Sequence, residues 1–243
     1  MSLQGPSGHF CGGVLISPDF VLTSGRCASL INDYGFSAVV GVHDISNANA
    51  QRICLKNTVI HPDFNNATGD NDVALLKLAW SAELDEWTNP ACIMEDEIPP
   101  ETICVATGWG SAAKDVFYYP TKLQQYPIPF KRQCSTEDKD SFNISKDIIF
   151  TFFNINNISF ILFENKKKLC AYRGGIGSCT GDVSSPLACH YQGRWLIAGI
   201  SSAEGECQGN VIYIIGFYGV DLVLDVRFES VLVYFFQMIL IIL

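Results

Sequence analysis

The chain has 243 residues and a formal net charge of −9. That length suffices for one all-β domain of two packed barrels with a core of its own, and the acidic balance argues against a nucleic-acid partner and against docking on anionic lipid, both of which need clustered Lys and Arg. Ten cysteines with no Cys-x-x-Cys pair point to an oxidising, extracellular compartment and give no pattern for zinc or redox chemistry, so no metal or cofactor is expected.

Along the chain, Met1-Ser2-Leu3-Gln4-Gly5-Pro6 lacks the basic and apolar regions of a signal peptide. Short runs of Val, Ile and Phe, punctuated by Gly, Pro, Asn and Asp, then recur from residue 10 to about residue 130. They predict antiparallel strands at Gly13 to Ile16, Phe20 to Thr23, Ala38 to Val42, Ile53 to Ile60, Val73 to Leu78 and Ile103 to Thr107. No long helical period runs among them, which argues against a helical bundle. Glycosylation triplets at Asn66, Asn143 and Asn157 fit secretion.

Residues 146–167 change character to Ile, Phe, Asn and Lys. They read as an atypical insert, either genuine or translated from an intron, that as a loop would expose many large apolar side chains. Residues 211–243 read as an atypical apolar tail following a domain of residues 1–210. The run from Ser230 to Leu243, interrupted by Gln237, falls short of the roughly 20 residues that span a bilayer, so no membrane anchor is expected.

Several motifs stand in a telling order: Gly8-His9-Phe10-Cys11-Gly12-Gly13, Val21-Leu22-Thr23-Ser24-Gly25-Arg26-Cys27, His61-Pro62, Asp72-Val73-Ala74-Leu75-Leu76-Lys77-Leu78, Thr107-Gly108-Trp109-Gly110 and Ser178-Cys179-Thr180-Gly181-Asp182-Val183-Ser184-Ser185-Pro186-Leu187. Over residues 7–145 and 168–210 the chain thereby resembles the trypsin- and chymotrypsin-like serine proteases. The resemblance implies two packed six-stranded antiparallel β-barrels. It also implies that the chain begins inside the family pattern. After Gly209-Asn210 the family's final strand and helix are not recognisable in the sequence.

By the same resemblance the triad positions are Arg26, Asp72 and Val183. In a working triad a serine attacks, a histidine takes its proton and an aspartate orients the imidazolium. An isopropyl group cannot attack a carbonyl, and a guanidinium has no lone pair with which to act as base. Arg26 is expected to form a hydrogen-bonded ion pair with Asp72, the alternative being an exposed arginine lining the old cleft. Ser184 and Ser185 occupy glycine positions, where a side chain crowds the turn and a hydroxyl is displaced from the attack geometry. His9, His43, His61 and His190 are expected to be structural or solvated.

The amides of Gly181 and Val183 resemble oxyanion-hole donors, and Gly177 with Ser201-Ser202-Ala203 resembles the floor and wall of a chymotrypsin- or elastase-like primary pocket. Asp182 matches the carboxylate that active relatives pair with a new N-terminal ammonium, and without that partner a zymogen-like cleft is expected. The implied disulfides are Cys11–Cys27, Cys104–Cys189, Cys134–Cys170 and Cys179–Cys207. The pairing of Cys54 and of Cys92 stays open.

Three functional readings follow. The leading one is a secreted, non-catalytic homologue that binds a protein partner, such as a protease, an inhibitor or a protease substrate. The second is an active chymotrypsin- or elastase-like endopeptidase whose sequence is in error at Arg26 and Val183. The third is a faulty gene model or a decaying copy without a stable product.

Overall fold

A computed structural model of the chain describes residues 1–32, 35–94, 99, 102–110, 120–131, 148–155, 158–165, 168–172, 183–202, 211–216 and 223–225. The first lobe contains β1 (Ser2–Gly5), β2 (Gly8–Gly12), β3 (Val14–Ser17), β4 (Phe20–Thr23), the short helix α1 (Gly25–Ser29), β5 (Ser37–Val40), β6 (Gln51–Ile60) and β7 (Ala74–Leu78). Its strands make one seven-stranded sheet in the order β2-β1-β5-β6-β7-β4-β3. The two edge strands, β2 and β3, are separated in the chain by Gly13 alone, so the covalent connection joins the edges and the sheet curls on itself. Counted as one bent strand, they leave the six strands that the resemblance implied.

Strand periodicity sends alternate residues of β4 and β7 to different cores. Val21, Ala74, Leu76 and Leu78 enter the core of the first lobe with Leu3, Val40 and Ile53. Phe20, Leu22, Val73 and Leu75 face the other way and meet Ile197 and Ile200 in the seam between the lobes. Burial on both faces explains why Phe20 to Leu22 and Val73 to Leu76 read as apolar runs without alternation, broken only by Thr23 and Lys77 at their ends. Each fully buried leucine or isoleucine contributes roughly 1.5–3 kcal/mol relative to exposure.

The second lobe continues with β8 (Ile103–Gly108), β9 (Gln124–Lys131), β10 (Ile148–Ile155), β11 (Ile158–Asn165), β12 (Lys168–Tyr172), β13 (Pro186–Tyr191), β14 (Arg194–Ser201), β15 (Val211–Gly216) and β16 (Val223–Asp225). Six of these close a barrel in the order β12-β15-β14-β13-β8-β9. Gln192 and Gly193 turn β13 into β14 with φ of 49° and 77°, the pair of positive values that suits a two-residue hairpin to the twist of its strands. The architecture is the chymotrypsin-like double barrel.

Two segments differ from the sequence expectation. Ile148–Ile155 and Ile158–Asn165 do not form a loop: they pair as a hairpin in register from Ile148 opposite Asn165 to Ile155 opposite Ile158, and Val223–Asp225 adds a third strand. Val211–Gly216, expected in an atypical tail, pairs with β12 on one side and β14 on the other. The reason is common to both: runs of Ile, Val, Phe and Tyr favour extended backbone wherever a partner edge is available.

Candidate functional site

The site lies at one end of the seam, where four chain segments meet. β4 runs into α1, which carries Arg26, and Asp72 stands just ahead of β7. The turn at Val183 leads into β13, and Ser202 follows β14. Ser24 caps α1, its side chain accepting from the Cys27 N–H at 3.1 Å, which satisfies one of the donors that a helix start leaves unpaired.

Asp72 is fully buried. Its Oδ1 accepts from the backbone N–H of Arg26 at 2.8 Å, and its Oδ2 accepts from the Ser202 hydroxyl at 2.8 Å. The Arg26 Nε lies 3.4 Å from Oδ2 without hydrogen-bond geometry, and Nη2 turns outward to donate to the Asn66 carbonyl at 3.0 Å. The expected hydrogen-bonded ion pair is therefore corrected to a Coulombic contact, the actual hydrogen bond coming from the Arg26 main chain. The geometry also combines both alternatives, since the Arg26 side chain is 34% exposed while it still touches the buried carboxylate.

Burial pushes the Asp72 carboxyl above its ordinary value of 3.8, outweighing the stabilising bonds from Arg26 N–H and Ser202 and the Arg26 charge. The folded state then holds a proton that the unfolded chain has already released, so stability falls as pH rises from the unfolded value through the raised folded one. Asp72→Asn is expected to flatten that loss. Urea midpoints of both proteins between about pH 3 and about pH 8 check it, and parallel profiles would refute the assignment to Asp72.

Val183 is 6% exposed and belongs to the apolar cluster of the first lobe with Cys11, Cys27 and Ala28. Its carbonyl accepts from the Gly12 N–H at 2.8 Å. Gly12 permits this close approach: a Cβ there would stand 2.9 Å from Ser185 N and 3.0 Å from the Ser184 carbonyl. The backbone of the turn is thus pressed against β2.

Ser184 adopts φ of 66°, a left-handed conformation unfavourable for a residue with a Cβ. Its buried hydroxyl donates to Ser24 Oγ at 2.6 Å and accepts from Ser24 N–H at 2.8 Å. Those bonds tie the turn to the start of α1. Ser184→Ala keeps the strain and strands the buried Ser24 N–H, at an expected cost of about 2 kcal/mol. Ser184→Gly loses the same bonds but relaxes the backbone and should be less damaging by about 1 kcal/mol. Chemical denaturation of the two variants decides, and equal losses would mean that the turn stores no strain.

Chemically, the described site holds a buried carboxylate, a guanidinium and several buried hydroxyls, with no imidazole among the described partners of Asp72. His61 accepts from the Asp63 N–H, and the His9 ring meets Ser2. Ser201 and Ser202 have separate tasks: Ser201 Oγ accepts from the Ser185 N–H at 3.2 Å, whereas Ser202 holds Asp72. Sequence reasoning placed both in the pocket wall and missed the contact of Ser202 with a residue 130 positions away.

The bridges Cys11–Cys27 and Cys104–Cys189 are formed, and Cys54 and Cys92 are free and exposed. Gly177, Gly181, Asp182 and Ala203 lie outside the described residues, as do Cys134, Cys179, Cys207 and the Cys170 side chain. With the double barrel and this constellation in place, the comparison with known families is decisive: the Trypsin family model matches residues 1–221. The chain belongs to the trypsin family of serine proteases.

Atrial natriuretic peptide-converting enzyme of Homo sapiens is a relative, 30% identical over 220 residues. The match covers 87% of this chain and 19% of that protein. This trypsin-family chain therefore spans about a fifth of the relative's length.

Proposed function

We propose that this trypsin-family chain is a secreted, non-catalytic homologue, a pseudoenzyme that binds or regulates a protein partner. The observation that carries the reading is the chemistry beside Asp72: a protonated guanidinium stands where a base must accept a proton. Val183, buried in an apolar cluster, offers no nucleophile, and the nearby Ser184 hydroxyl is buried and already bonded to Ser24. Amide donors without a nucleophile and a base supply only weak residual catalysis. Two formed disulfides favour an extracellular setting.

The partner belongs to the company of proteases: a protease, its inhibitor or its protein substrate, recognised by surface loops that the double barrel displays. The test is to present the folded, disulfide-bonded protein with chymotrypsin-, elastase- and trypsin-type peptide substrates and with a serine-directed phosphonate. Neither turnover nor labelling is expected, while one of these partner classes should bind measurably. Hydrolysis abolished by the phosphonate would overturn the proposal in favour of an endopeptidase.

A further inference from the structure

The loop from β6 to β7 reaches the seam from the first lobe and carries the triplet Asn66-Ala67-Thr68, whose side chains the seam chemistry does not use. It is closed by a bridge between Asn65 and Asp70, with the Asn65 N–H donating to the Asp70 carbonyl at 3.0 Å and the Gly69 N–H to the Asn65 carbonyl at 2.8 Å. Inside it, Asn65 Oδ1 accepts from the Ala67 N–H at 2.9 Å, a side-chain turn of the kind that asparagine favours. Asn66, Ala67 and Thr68 are left exposed.

The two neighbouring asparagines have opposite roles. The Asn65 amide oxygen is consumed by the turn, accepting from the Ala67 and Thr68 N–H groups, whereas the Asn66 side-chain amide makes no hydrogen bond among the described residues. The Asn66 backbone is by contrast fixed, its carbonyl accepting from Arg26 Nη2 at 3.0 Å. Gly69 permits the loop to approach this closely, because a Cβ there would stand 3.1 Å from Arg26 Nη2 and 3.6 Å from Ser202 Oγ. The loop therefore lies against Arg26 and Ser202 and presents one unengaged, exposed carboxamide at the Arg26 end of the seam.

We propose that Asn66 carries an N-linked glycan, which stands at the Arg26 end of the seam. The proposal rests on the reading of the chain as secreted, since such glycans are added in the secretory pathway. The Asn66 side-chain nitrogen attacks the anomeric carbon of an oligosaccharide carried on a lipid diphosphate. An N–C bond forms, the C–O bond to the diphosphate breaks, the nitrogen gives up one proton to the medium, and the lipid diphosphate leaves with the bonding pair. Thr68 supplies the hydroxyl that the triplet requires. In the folded loop that hydroxyl donates to Asp70 Oδ2 at 2.6 Å, so transfer precedes closure of the loop.

The test is to express the full chain in insect cells behind a secretory leader and to release its glycans with peptide-N-glycosidase in heavy-oxygen water. That treatment leaves a labelled aspartate at each occupied asparagine, and peptide mass mapping reads position 66 separately from the triplets at Asn143 and Asn157. Most secreted molecules should carry the label at Asn66. Asn66→Gln and Thr68→Ala should each abolish it there, whereas Thr68→Ser, which keeps a hydroxyl, should retain it. Secreted protein with the Cys11–Cys27 bridge formed and Asn66 unlabelled would overturn the proposal, as would a label that survives Thr68→Ala. Because the leader provides entry into the pathway, that failure leaves the secreted reading standing. The secreted reading falls instead, and the glycan with it, if the native protein is found in the cytosol of its own cells.

Discussion

Val183→Ser alone is expected to yield no measurable peptide hydrolysis, about a millionfold below a complete triad, because triad members act as a unit and a single restoration recovers little. A serine at this position acquires a hydroxyl but no base. Arg26, the neighbouring side chain, contacts Asp72 through Nε at 3.4 Å, and its guanidinium cannot accept the serine proton. The new hydroxyl also enters an apolar cluster with Cys11, Cys27 and Ala28, so the variant should lose about 1–2 kcal/mol of stability unless the turn rotates. Substrate turnover and phosphonate labelling of Val183→Ser, beside an Arg26→His/Val183→Ser double variant, provide the check. A single variant that hydrolyses substrate and is stopped by the phosphonate would show that some other group acts as base, and the reading of Arg26 would fail.

Removing the Cys104–Cys189 bridge is expected to cost about 4–5 kcal/mol, the larger of the two described disulfide effects, since it closes a loop with a sequence separation of 85. Cys11–Cys27 has a separation of 16 and should contribute about 3 kcal/mol by the same chain-entropy argument. The native state gains little proximity from the longer bridge, because Cys104 and Cys189 are already opposite one another in the β8–β13 ladder. Its effect therefore falls on the unfolded chain. Both sulfurs are also buried beside Met94, Ile128 and Leu187, so alanine pairs preserve an apolar site better than serine pairs. Urea unfolding of the two paired alanine variants measures the difference. A larger loss from Cys11 and Cys27 would mean that native contacts, such as the attachment of α1, outweigh loop entropy.

The strands most legible in the sequence were those with apolar residues on both faces or in clean alternation. Phe20 to Thr23 was read to the residue, and Val73 to Leu78 nearly so, because β4 and β7 feed two cores at once. β10, β11 and β15 were not read as strands. Their Ile- and Phe-rich runs carry the right propensity, but the sequence does not announce which edge they will pair with.

For the site, residue chemistry was readable and residue geometry was not. The lack of a base at Arg26 and of a hydroxyl at Val183 follows from side-chain structure alone, whatever the fold does. Motif order likewise placed the chain in its family, and the motif cysteines Cys11 and Cys27 are indeed joined. Only the tertiary structure decided that Ser202 holds Asp72, that the Arg26 backbone provides the hydrogen bond its side chain was expected to make, and that Ser184 fastens the turn to Ser24. Ser202 and Asp72 are 130 residues apart, and Ser184 and Ser24 are 160 apart. Such contacts leave no local period or spacing in a sequence, because they arise where the curled first sheet and the closed second barrel pack and bring distant chain segments to a common seam.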